Sequence, residues 1–308
     1  MNGIKPMIFL AHTLAILLWA SAFPGIRYAL SAYSPAHLSL FRLLIGSVLL
    51  VTVALFIKMP LPRFRDIPII MLLGCLAFAI YHVTLNIGEQ SVSAGIASLL
   101  VSTTPIFTAF LSVFFFKEKF KIGSWLGALI AFIGVIFIAI GGTGERLSLH
   151  VGILLILTAA LAESFYFVFQ NSYLKRYGFV RFTIYTIWAG TISMLPFSSG
   201  LLQEILNAPL DATLTVVYLG IFPTVIPYFS LAYVTSKTGA AEATSSLYLT
   251  PAVSFLIAWI WLAETPNIHS IIGSIITLCG VFVAHLKWSN KRRLAKKRKF
   301  QLKEDKAY

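Results

Sequence analysis

Four side chains that can carry charge interrupt long apolar runs of the chain: His12, Arg42, His82 and Glu163. An ionisable group inside a hydrocarbon layer costs several kcal/mol unless it is paired or wetted, so each is a candidate for function. Glu163 offers a carboxyl group that can take up and release a proton. Tyr166 and Gln170 follow it one and two helical turns later and complete a polar face. The imidazoles of His12 and His82 titrate near neutral pH and are the other proton-coupling candidates. The alternative for all three is a neutral, hydrogen-bonded core residue. Arg42 has a stem long enough to carry its head to an interface, where it could hold a phosphate or a helix end; a structural role is the expectation. No GxxxxGK[ST] loop, HExxH pair or GxSxG elbow occurs, so neither ATP-driven work nor a membrane-embedded enzyme is suggested. Cys75 and Cys279 sit in apolar runs and read as small core residues, with no metal or cofactor expected.

These side chains must be positioned by helices in a membrane. The chain is 58% hydrophobic and 11% charged, against about 25% charged in soluble domains. Ten apolar stretches are long enough to cross a hydrocarbon core of about 30 Å: residues 7–25, 36–57, 67–86, 93–116, 122–141, 151–170, 180–199, 212–234, 240–262 and 268–286. They are continuously apolar and lack the alternation of membrane strands. The net charge of +13 is concentrated after the last stretch, where ten of the 24 Lys and Arg lie between Lys287 and Lys306. A basic tail there fits cytoplasmic retention and attraction to anionic lipid better than nucleic acid. With the N-terminus inside, 21 of the 24 basic residues fall on inner segments, leaving Arg27 and Arg146 outside and Arg42 within a span. Both termini are therefore expected in the cytoplasm of a bacterial plasma or inner membrane. Lys5, the first apolar run and Ala20-Ser21-Ala22 also imitate a signal peptide, but its removal would leave nine spans.

Residues 102–118 read STTPIFTAFLSVFFFKE and residues 248–264 read YLTPAVSFLIAWIWLAE. A shift of 146 positions aligns Thr104 with Thr250, Pro105 with Pro251, Glu118 with Glu264, Gly127 with Gly273 and Gly134 with Gly280. The chain is thus two repeats, residues 5–141 and 150–286, followed by the basic tail 287–308. Five spans per repeat is an odd number, so the second copy enters from the opposite face. Inverted repeats of this kind are a recurring plan of secondary transporters, with cargo bound near the midplane between the copies. The expected fold is an all-α integral membrane protein of ten transmembrane helices, two inverted five-helix repeats around a central cavity. Pro105 and Pro251 should free the carbonyls of Val101 and Leu247. With Pro223 and Pro227 they mark helix breaks expected to line the pathway. The small residues Gly123, Gly127, Ala131 and Gly134, echoed by Gly273, Thr277 and Gly280, read as packing inside a half or between protomers. Glu118 and Glu264 are expected to cap or anchor helix ends.

The segment from Ser93 to Ile138, its second copy, Trp19-Ala20-Ser21-Ala22-Phe23, Phe41-Arg42 and the region from Pro223 to Tyr228 resemble EamA-type proteins of the drug/metabolite transporter superfamily. Around Glu163-Ser164-Phe165-Tyr166 the match is poorer. The resemblance implies a carrier with a central cavity, moving small metabolites, often amino acids or related compounds and often outward. It places Trp19, Tyr81, Tyr228 and Tyr248 in spans that surround the cavity, with Asn86 and Thr224 as nearby polar groups. Together with Tyr166 these are the substrate-binding candidates. Partners would be a small-molecule substrate, the lipid bilayer and protons, in a monomer or homodimer; a receptor or scaffold without transport is the alternative.

Overall fold

The computed structural model describes residues 4–116, 122–141, 146–265 and 268–285. Glu118 and the segment 287–308 lie outside the described residues. The first half contains α1 (Ile4–Ala29), α2 (Pro35–Phe56), α3 (Ile67–Gly74), α4 (Tyr81–Glu89), α5 (Ala94–Val101), α6 (Thr104–Phe116) and α7 (Ile122–Gly141). The second contains α8 (Arg146–Tyr177), α9 (Phe179–Met194), α10 (Leu201–Asn207), α11 (Leu210–Ile221), α12 (Ile226–Thr238), α13 (Ala240–Thr244), α14 (Thr250–Leu262) and α15 (Ile268–His285). Among the described residues, six helical rods are long and apolar enough to cross a membrane: Pro6–Ala29, Pro35–Phe56, Phe64–Glu89, Ala94–Phe116, Val151–Tyr177 and Leu210–Thr238. Leu247–Leu262 and Ile271–Gly280 are shorter apolar helices. Large apolar side chains such as Phe9, Leu55, Phe114, Trp259 and Phe282 point outward, which suits lipid as solvent. The chain is a multi-pass membrane protein.

Four rods are interrupted near mid-length. A π-helical turn over Cys75–Ile80 separates α3 from α4, and a turn at Ser102 and Thr103 separates α5 from α6. Residues 222–225 separate α11 from α12, and a 3₁₀ turn over Ser245–Leu249 separates α13 from α14. The prolines act differently from the expected kink. Pro105, Pro227 and Pro251 each stand in the first turn of the segment after a break, where a missing N–H removes no helical bond. Hydroxyls close the end of α5 instead: Ser98 donates to the Gly95 carbonyl at 2.7 Å, and Ser102 and Thr103 donate to Leu99 and Leu100 at 2.6 Å each. Backbone that leaves the helix inside a membrane is tolerated only with such partners.

The halves pack by exchange. Helix α1 of the first half lies against α11, α12 and α14, while α8 of the second lies against α4, α6 and the π-helical turn. Residues at or within two positions of equivalence meet at two crossings. Ser47 Oγ of α2 is 2.7 Å from Thr191 Oγ1 of α9, 144 positions away. Thr277 Oγ1 of α15, which donates to Gly273 in its own helix at 2.8 Å, lies 3.4 Å from the Ala131 carbonyl of α7, 146 positions away. Residues so related can touch only beside the axis that relates the copies. At the second crossing a Cβ on Gly280 would stand 2.6 Å from the Gly127 carbonyl, so only glycine allows the approach. The small-residue stripe therefore joins the two halves of one chain rather than packing inside a half.

Polar contacts mark two opposite faces. On one, Arg27 pairs with Glu264 at 3.8 Å and donates to the carbonyls of Glu89 and Gln90, while Tyr28 donates to Asp211. On the other, Arg176 donates to both carboxylate oxygens of Asp66 at 2.6 and 2.8 Å, and Tyr177 donates to the same group. Helix α14 ends at the Arg27 face. Its equivalent α6 ends beside Phe169 of α8, which runs to the Arg176 face. The paired elements run in opposite directions.

Candidate functional site

The polar centre forms where α1, α4, α6, α8 and α12 converge. Glu163 of α8 is 1% exposed, and its Oε1 accepts the Tyr228 hydroxyl of α12 at 3.1 Å. That hydroxyl is also 3.3 Å from the Ala77 carbonyl in the π-helical turn. One hydrogen serves one acceptor at a time. The Thr104 hydroxyl stands beside the carboxyl group without a hydrogen bond of normal geometry. Ser164, next to Glu163, has its hydroxyl 2.6 Å from the Ala160 carbonyl and 3.0 Å from the Thr104 carbonyl and can donate to either, which sets α6 against α8 at the break.

Aromatic rings close the centre. Trp19 meets Tyr228 edge-on with centroids 5.2 Å apart, and Phe78 lies 4.5 Å from Tyr228. Tyr166 packs 6.2 Å from Tyr228 and shares a 3.3 Å hydroxyl contact with Thr186 of α9. Beside Trp19 and Glu163 is a small space, lined also by Phe23, Tyr81, Ser98, Val101, Ser102, Leu247 and Thr250, with a volume of about 20 Å³. That is room for one water molecule. A metabolite does not fit in it.

The structure brings Trp19, Tyr81, Glu163, Tyr166 and Tyr228 together and sets the remaining candidates apart. Thr224 accepts from Arg42 Nε at 3.0 Å and donates to the Leu219 carbonyl at 2.7 Å, so it holds the α11–α12 break. Trp19 Nε1 donates to Pro223 in the same break at 3.2 Å. Arg42, 2% exposed, therefore turns inward and does not carry its head to an interface, because an unwound stretch of helix offers it a polar partner inside the protein. Asn86 donates to Ser39 Oγ at 2.9 Å and the Pro35 carbonyl at 3.2 Å, joining α4 to α2. His82 is buried with Nδ1 2.7 Å from the Phe78 carbonyl, within its own helix. His12 lies half-buried in α1, two turns before Trp19, and Tyr248 lies half-buried on the 3₁₀ turn before α14. Pro223 lies in a break that touches the centre through Trp19; Pro105 and Pro251 stand just beyond the lining residues Ser102 and Thr250, and Pro227 directly precedes Tyr228.

Glu264 Oε2 accepts the N–H of Ala94 at 3.0 Å, so it anchors the start of α5 rather than its own helix. Glu89 escaped the sequence reading because it falls three residues past the apolar run that ends at 86. It is fully buried.

Against known proteins, the EamA-like transporter family model matches residues 5–140 and again 150–286. The chain belongs to the EamA-like transporter family. It is 56% identical to the uncharacterized transporter YdfC of Bacillus subtilis (strain 168), over 91% of each chain. It is 35% identical to a probable terminal-alkyne amino-acid exporter of Streptantibioticus cattleyicolor, over 92% of this chain and 95% of that one. A solved crystal structure at 20% identity superposes with a TM-score of 0.64 over 91% of this chain and 97% of its own, a likeness of fold. In this EamA-family transporter the centre described above lies where elements of both matched segments meet.

Proposed function

We propose that this EamA-family protein is a secondary carrier that moves a small metabolite, an amino acid or related compound, outward by alternating access coupled to protons. The observation that carries the reading is Glu163, a buried carboxyl group between the two copies that shares the Tyr228 hydroxyl with the Ala77 carbonyl. As a carboxylate, Glu163 draws that hydrogen and ties α12 to α8. Once protonated it no longer needs the donor, and Tyr228 turns to the π-helical turn of the other copy. The charge state thus selects which half α12 is fastened to. Trp19, Tyr81 and Tyr166 line the cargo's side of that switch. The name of the Streptantibioticus relative supports an amino-acid cargo.

The carrier has ten crossings, the broken rods counting once each, with both ends on the cytoplasmic side where the basic residues gather. It sits in a bacterial plasma or inner membrane as a monomer or homodimer. Purified protein screened against an amino-acid panel should be stabilised thermally by its cargo, since a ligand of the folded state raises stability by mass action. In liposomes with an imposed pH gradient, Glu163→Gln should cut accumulation of that compound at least tenfold while leaving exchange across equal pH intact. Unchanged accumulation would remove the coupling.

A further inference from the structure

Moving two helical turns from the centre in each direction, about 10 Å, leads to unlike surroundings. Toward the Arg176 face, α1 goes from Trp19 to His12, α8 from Glu163 to Gln170 and α12 from Tyr228 to Thr235, with Thr108 one turn beyond Thr104 on α6. Gln170, Thr235 and Thr108 are all buried. Neither amide atom of Gln170 has a hydrogen-bond partner, nor do the hydroxyls of Thr108 and Thr235. A buried polar group without a partner is costly, and these three stand one or two turns from a residue of the centre on three different helices, at one end of the bundle. Toward the Arg27 face the same steps reach Ile26 on α1, Ile156 on α8 and, from Tyr81 on α4, Gly88. Ile26 and Ile156 are fully buried in one apolar cluster, and Gly88 packs directly on Ile156. On this side Ser254 Oγ on α14, Asn86 Oδ1 and both carboxylate oxygens of Glu89 also lack hydrogen-bond partners; Glu89 follows Gly88 on the Arg27 side of the isoleucines, and its strongest charged neighbour is Arg27 at the surface.

We infer that Thr108, Gln170 and Thr235, with His12 beside them, form a water-holding layer through which protons reach Glu163 from the Arg176 face, while Ile26 and Ile156 form a dry plug on the other. This deepens the coupling reading and rests on it. The orphaned amide and hydroxyls supply donors and acceptors for a short chain of waters; the isoleucines supply none.

The test uses Ag⁺, close in size to water, as a thiol probe on full-length protein in liposomes, with Cys75→Ala and Cys279→Ala as background. Gln170→Cys, Thr235→Cys, Ile26→Cys and Ile156→Cys are each exposed to Ag⁺ and then denatured. Thiols left unblocked are counted with a maleimide, for variants that elute as monodisperse protein. Gln170→Cys and Thr235→Cys should be blocked at least tenfold faster than Ile26→Cys and Ile156→Cys. Equal rates, a reversed order or no blocking at all overturns the layer. Thr108→Cys against Leu85→Cys, a buried apolar position in the Ile26–Ile156 cluster, gives a second pair if any of the four fails to fold. No cargo is present, so the blocking order is read independently of whether Glu163→Gln abolishes coupling.

Discussion

Trp19 and Glu163 stand in the middle of the first helix of each copy, and both touch Tyr228, one by its ring and the other by its hydroxyl. Yet one is an aromatic that donates to a carbonyl in a helix break and the other is a buried acid. Elsewhere the copies agree closely: the rods break at corresponding places, and Gly127, Gly134, Gly273 and Gly280 close the α7–α15 crossing. The difference teaches where duplication leaves freedom. Backbone breaks and glycine crossings are geometric conditions that both copies must satisfy for the halves to fit. The side chain at the centre is under no such constraint, and there the first copy carries an indole and the second a carboxyl group.

The strongest way to break the comparison is to move the acid. Trp19→Glu in a Glu163→Gln background places a carboxyl group in the other copy's helix, beside the Tyr228 ring. Accumulation driven by a pH gradient should stay at least tenfold below the wild type, because position 19 reaches Pro223 rather than Thr104 and the Ala77 turn. Recovery would mean that the two positions are interchangeable. The conserved part of the comparison is sharpened by Gly280→Leu. Its side chain would meet the backbone of Gly127 and Ala131, and overpacking of that kind should cost about 3 kcal/mol, read as lower thermal stability in detergent.

The regularities that both copies share are also those most legible in the sequence. Proline at a fixed distance from glutamate marked two breaks, and matched glycines marked the crossing, since few other residues satisfy those backbone conditions. The π-helical turn over Cys75–Ile80 carried no such mark, having neither proline nor glycine within it. Its existence depends on packing against α8 and α9. At the site, Glu163 was visible because a charge in an apolar run is rare, and Tyr166 and Tyr228 followed from spacing and resemblance. Thr108 and Thr235 were not visible, because neutral hydroxyls are common in membrane helices and their missing partners become apparent only once the helices are assembled. Arg42 and Thr224 were both noticed, but their 3.0 Å contact joins positions 182 apart, which no local pattern encodes.

Smaller effects probe the contacts around the divergence. Trp19→Phe keeps the ring beside Tyr228 and removes only the hydrogen bond to Pro223, leaving the break held by Arg42 and Thr224. A loss of about 1 kcal/mol in thermal stability is expected. A much larger loss would show that Trp19 is the main support of the α11–α12 break.

The smallest effect lies at the Arg27 face, where the first copy's α5 is fastened to the second copy by Glu264. Burial lifts the carboxyl group of Glu264 above the ordinary carboxylate range, against the opposing pull of the Ala94 hydrogen bond and the Arg27 charge. The folded protein then binds that proton more tightly than the unfolded chain. The contribution of Glu264 to stability is therefore complete below the unfolded value of about 4.3 and is lost as pH rises through the folded value. Glu264→Gln stays neutral throughout and retains an acceptor for Ala94. The stability of the wild type relative to this variant should fall as pH rises from about 4 toward neutral, with melting temperatures of the two proteins compared at each pH. A relative stability that rises over the same interval would mean that the Arg27 pair, and not burial, governs this fastening, and that the copies are held together at this face by charge.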